Sequence, residues 1–115
     1  MNVVIFQRSR TLFLVLAIPC AWAREAEVRI LAPGPGATLK AKGTNTLSYQ
    51  AQTGGGKGSH VHVYIDGQEV ATLHRLKGEY TLKGLVPGGR EICVRIANKA
   101  HVPTGVGSCI EVTVE

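Results

Sequence analysis

Apolar and polar residues alternate with a period of two along most of this chain. The clearest run is Ser59-His60-Val61-His62-Val63-Tyr64-Ile65: Val61, Val63 and Ile65 share one face, and His60, His62 and Tyr64 share the other. Leu47, Tyr49 and Ala51 repeat the pattern, as do Ile92, Val94 and Ile96, and again Ile110, Val112 and Val114. Alternation of this kind predicts strands with one face in a core and the other toward water. Shorter strands are predicted around Val28 and Ile30, over 69–74, and at Tyr80 and Leu82, with an edge piece over 38–42. No segment holds a helical period for three turns.

The punctuation between these runs is glycine and proline. Pro33-Gly34-Pro35-Gly36 stops the first strand, and Leu85-Val86-Pro87-Gly88-Gly89 makes a later turn. Asp66-Gly67 is a two-residue hairpin signal, because both central positions of a type I′ turn need positive φ. In the simple register of that hairpin, Ser59 falls opposite His74. The loop Thr53-Gly54-Gly55-Gly56-Lys57-Gly58 could cradle a phosphate only with a helix behind it. A strand follows instead, so the loop reads as a connector. About seven short strands separated by turns predict an all-β, immunoglobulin/fibronectin-III-like antiparallel β-sandwich, with a small barrel as the alternative.

The N-terminus has a different character. Arg8 and Arg10 precede an apolar run over 12–18, then Pro19 and the small-x-small pattern Ala21-Trp22-Ala23. That layout is expected of a secretory signal peptide over 1–23, cut after Ala23, with a single domain over 24–115. The run is shorter than the ~20 residues of a spanning helix. Cleavage would remove Arg8 and Arg10 and take the formal net charge from +5 to +3. It would also remove every Phe, Trp and Met, leaving a core of Val, Ile, Leu, Ala and Tyr. Scattered charge without exposed aromatics argues against nucleic acid. Two cysteines remain, Cys93 and Cys109, and an even count in an exported protein predicts a disulfide. If they face each other, Ile92 faces Ile110 and both stay in the core.

Several of these pieces together resemble a known group. Ala32-Pro33-Gly34-Pro35-Gly36, His60-Val61-His62 before Asp66-Gly67, Leu85-Val86-Pro87-Gly88 and Ala97-Asn98-Lys99-Ala100-His101-Val102-Pro103 occur in that order. They are similar to the small exported bacterial immunoglobulin-like domains of uncharacterised function. The resemblance implies a periplasmic sandwich with histidines at one end, and no established activity. Where many such domains carry a histidine after the Pro-Gly turn, this chain has Gly89-Arg90.

The candidate chemistry lies in four histidines. His60 and His62 start one strand, and His101 follows the end of its expected antiparallel neighbour. The hairpin carries His74 back to the same pole. Two imidazoles at i and i+2 on a strand sit ~6.6 Å apart at Cα, within reach of one ion. With His101 as a third ligand and His74 as a fourth candidate, the set suits copper(II) or zinc. Asp66 and Glu69 are placed at the opposite pole and left out. The competing reading has solvated histidines on an interaction module for another exported protein or a glycan. No catalytic residues are expected: there is no serine–histidine–acid set, and Ser59 and His60 should face opposite sides of the strand.

Overall fold

A computed structural model describes residues 25–115; the expected signal peptide over 1–23 lies outside the described residues. Eight strands follow one another without a helix among the described residues: β1 (Glu27–Ala32), β2 (Thr38–Leu39), β3 (Asn45–Gln52), β4 (Gly58–Ile65), β5 (Gln68–Leu73), β6 (Lys77–Leu82), β7 (Gly88–Asn98) and β8 (Pro103–Val114). They form two sheets, one in the order β1-β3-β6 and one in the order β2-β8-β7-β4-β5. All pairings are antiparallel except β2 with β8, which runs parallel, so the expected edge piece joins the sandwich by crossing to the second sheet.

The alternating residues meet between the sheets. Leu47, Val61, Val63, Ile92 and Val94 are fully buried there, and Ile110, Val112 and Val114 complete the last strand's contribution. Burying each such side chain contributes about 1.5–3 kcal/mol. Tyr49 brings a phenol into this core, and its hydroxyl donates to the Arg75 carbonyl at 2.8 Å. The Asp66-Gly67 hairpin forms as predicted, with φ of 51° and 84° at the two turn residues. Asp66 Oδ1 accepts the Glu91 backbone N–H at 2.9 Å, and Oδ2 pairs with Arg90 at 2.9 Å.

Two of the register shifts, both on β4's ladders, matter to the histidines. In the β4–β5 ladder Tyr64 pairs with Glu69 but Val63 pairs with Ala71, leaving Val70 as an extra residue. Val61 then faces Leu73, and the same register continued by one residue puts His74 across from His60. The simple hairpin register, with Ser59 opposite His74, is therefore corrected. A shift of one residue moves a side chain to the other face, so the bulge brings His74 onto the histidine face.

The second bulge is Ser59. Gly58 pairs with Asn98 and His60 with Ala97, which leaves Ser59 without a partner on β7. Gly58 is held closely: a Cβ there would overlap Ile96 Cγ2 and crowd Thr53 Cγ2 at 3.2 Å. Gly58→Ala is expected to destabilise the domain by about 1–3 kcal/mol, the usual cost of overpacking. A urea midpoint unchanged by this substitution would show that the strand shifts without cost.

Candidate metal centre

β4 and β7 are antiparallel neighbours, so the start of one lies beside the end of the other. The turn after β7 carries His101. Asn98 shapes that turn: its side-chain Oδ1 accepts the N–H groups of Ala100 at 2.8 Å and Val102 at 3.1 Å. Its carbonyl accepts the His101 N–H at 2.8 Å. His101 is held at φ 63°, in the left-handed region. For a non-glycine residue that conformation costs about 1–2 kcal/mol. Across the ladder from His60 stands Ala97, fully buried, whose methyl group takes little space on this face.

Three ring nitrogens converge as a result. His60 Nε2 lies 3.0 Å from His62 Nε2 and 3.1 Å from His101 Nδ1, and the last two are 3.4 Å apart. Points with those separations lie on a circle of about 1.8 Å radius, so all three nitrogens could reach one ion at the ~2.0–2.1 Å of a zinc–imidazole bond. The expectation that His60 and His62 face outward holds, but they are not solvated. They are 3% and 2% exposed, covered on the outer face of the sheet, while His101 remains exposed. A neutral imidazole has one N–H and one lone pair. Three such nitrogens cannot all satisfy one another by hydrogen bonding, whereas one cation accepts all three lone pairs.

The surroundings favour a neutral His60 with its Nε2 free. Ser59 Oγ is 2.8 Å from His60 Nδ1. With the ring proton on Nδ1 donated to this oxygen, His60 Nε2 is left with its lone pair. Ser59 and His60 therefore meet, contrary to simple strand alternation, because the bulge at Ser59 interrupts it. Burial above all, then the neighbouring His62, His101 and His74, lowers the His60 pKa below its ordinary 6.5, with Glu69 opposing. The unfolded chain thus binds a proton at this residue more readily than the folded one. Stability from neutral His60 is complete above about 6.5 and is lost as pH falls through the lower folded value. The urea midpoint is expected to fall on acidification below that pH, and His60→Ala to lose this part of the fall. Parallel pH profiles for the two proteins would contradict it.

His74 comes close without joining the triad. Its ring stacks on His60 at 5.1 Å between centroids, but the nitrogens that gather within 4.8 Å of one another belong to His60, His62 and His101. Glu69, assigned by sequence to the far pole, is instead beside the site: its Oε1 is 3.4 Å from His62 Nδ1. Thr72 Oγ1 donates to its other oxygen at 3.0 Å. The E-x-x-T spacing from Glu69 to Thr72 across the bulge was the available signal, but no rule of simple alternation reads it.

Further along the same face, Tyr64 lies 6.4 Å from the His62 ring, and the Arg95 guanidinium sits over Tyr64 at 5.3 Å. Arg95 also reaches to 3.9 Å from Cys93 Sγ. Cys93 and Cys109 are joined by a disulfide between directly paired residues of β7 and β8, Cα atoms 4.1 Å apart, and Ile92 pairs with Ile110 as expected. Both sulfurs are therefore spent on each other and are not ligands.

The sandwich and its sheet orders define the described residues as an immunoglobulin-like domain. Solved structures give that class a closer likeness. The chain is similar to the fibronectin(III)-like modules of Clostridium thermocellum CbhA, with a TM-score of 0.63 and 19% identity over 76% of this chain and 95% of that one. It is also similar to part of the endo-β-1,4-mannanase from Thermotoga petrophila, with a TM-score of 0.57 and 16% identity over 80% of this chain and 20% of that one. These likenesses establish the fold. No protein family matches the sequence, and no curated protein does.

Proposed function

We propose that this chain is an exported metal-binding module that holds one copper(II) or zinc ion on His60 Nε2, His62 Nε2 and His101 Nδ1. The observation that carries this reading is the convergence of three imidazole nitrogens, within 3.4 Å of one another, from positions up to 41 residues apart. Two of those rings are buried, and burying imidazole on an outward sheet face has no purpose in core packing. The donor set is all nitrogen, since residues 24–115 contain no methionine and the cysteines are bonded. Such a set selects copper(II) or zinc over copper(I) with soft sulfur ligands. Three protein ligands leave a coordination position for water or for a donor from a partner, which suits taking up an ion and passing it on. The N-terminal pattern and the disulfide both support a periplasmic or secreted location, in line with the exported immunoglobulin-like group that the sequence resembles.

Isothermal titration of the purified protein with copper(II) and with zinc tests the reading. One ion per chain, bound far more tightly than millimolar, is the expected result. Binding no tighter than millimolar would leave the interaction reading. An open groove of about 490 Å³ beside the site, bordered by Lys57, Ser59, Asn98 and Lys99, is the surface that an exported protein or a glycan would then use.

A further inference from the structure

We propose that Glu69 is a positioning residue of the metal site, which fixes the tautomer and orientation of His62 through its Nδ1 and so sets the affinity for the ion. This rests on the metal-binding reading and deepens it. The starting observation is a buried orphan. Among the described residues, His62 Nδ1 is the one buried side-chain nitrogen or oxygen without a hydrogen-bond partner. His62 is 2% exposed, so the ring is shut off from bulk solvent. The nearest acceptor is Glu69 Oε1 at 3.4 Å, close enough for electrostatic attraction but out of line for a hydrogen bond.

The rest of the local structure points the same way. Glu69 is anchored from its other oxygen by Thr72 Oγ1, which leaves Oε1 directed to the ring. Tyr64, two residues on from His62 along β4, pairs with Glu69, while the bulge at Val70 puts Thr72 across from His62. The carboxylate and its anchor therefore share the face of the ring they flank. A ligand that binds through Nε2 must carry its proton on Nδ1, and a carboxylate there stabilises that tautomer and raises the basicity of the ligating nitrogen. Ser59 performs the neutral version of this task for His60. Glu69 differs in bringing a negative charge, which also offsets the charge of a bound cation.

The test is zinc titration of the purified wild-type protein, Glu69→Ala, Glu69→Gln and the control Glu79→Gln, which changes the same charge on the other sheet. Glu69→Ala is expected to weaken zinc binding by about 10–100-fold, the usual effect of losing an outer partner of a ligating histidine. Glu69→Gln should lose less, because it keeps an acceptor oxygen in the same place beside Nδ1 and loses only the negative charge. Glu79→Gln should bind as wild type. Nitrogen NMR of the zinc-loaded protein supplies a readout that a merely structural role would not move. The His62 Nδ1–H signal should be protected from exchange in wild type and lose that protection in Glu69→Ala. Wild-type zinc affinity and an unchanged His62 signal in a folded Glu69→Ala protein would overturn the role of Glu69 and leave the metal site standing. A wild-type protein that binds no zinc would overturn the metal reading, and Glu69's role with it.

Discussion

Alanine in place of His60 is expected to abolish tight binding of copper(II) and zinc, a larger loss than the ~10–100-fold that follows removal of an outer-sphere partner. His60 Nε2 is the shared vertex of the two shortest nitrogen separations, 3.0 and 3.1 Å, so its removal leaves only the widest pair, His62 and His101. The loss should appear in stability as well. An ion that binds only the folded state adds about 2.7 kcal/mol when present at 100 times its dissociation constant. In a domain of this size that raises Tm by about 10–20 °C. Wild-type protein should show this rise with zinc and lose it on chelation, and His60→Ala should show neither. Equal rises in both proteins would place the bound ion elsewhere.

Loss of the disulfide carries the second large effect, on stability alone. The bridge closes a segment with a sequence separation of 16, linking β7 and β8 directly. Removing a native disulfide from a small exported domain costs about 2–5 kcal/mol. The double substitution Cys93→Ala, Cys109→Ala is therefore expected to lower Tm by about 10–40 °C. Zinc affinity measured well below that Tm should change little, because no ligand touches the bridge: Cys93 pairs with Tyr64, two residues along β4 from His62. A collapse of zinc affinity in a protein still folded by circular dichroism would show that the bridge shapes the site.

The regular part of the molecule was legible in the sequence. Strict alternation in 59–65, 92–96 and 110–114 placed the core residues, and the pairing of Cys93 with Cys109, expected from the even cysteine count, agreed with Ile92 facing Ile110 in the core. The gathering of His60, His62 and His101 at one pole followed from strand order alone. What failed were the inferences that assumed an uninterrupted ladder. Ser59 meets His60 and His74 stacks on it because single-residue bulges at Ser59 and Val70 shift the pairing. A bulge has no fixed composition; neither a serine nor a valine announces one. Glu69 was misplaced for a related reason. Its strand position is near the hairpin, but its side chain reaches back along the sheet to His62, a direction that alternation cannot supply. The burial of His60 and His62 was also hidden, since the cover comes from His101 and His74, distant in sequence and set down by a turn and a bulge.

The most direct measurement is X-ray absorption of the zinc-loaded protein at the zinc edge. Three imidazole nitrogens at ~2.0–2.1 Å, with one further oxygen or nitrogen donor, are what a His60–His62–His101 centre should give, and the His60→Ala protein should lose the multi-imidazole scattering. A first shell dominated by oxygen, or one containing a single imidazole, would contradict a shared centre for these rings.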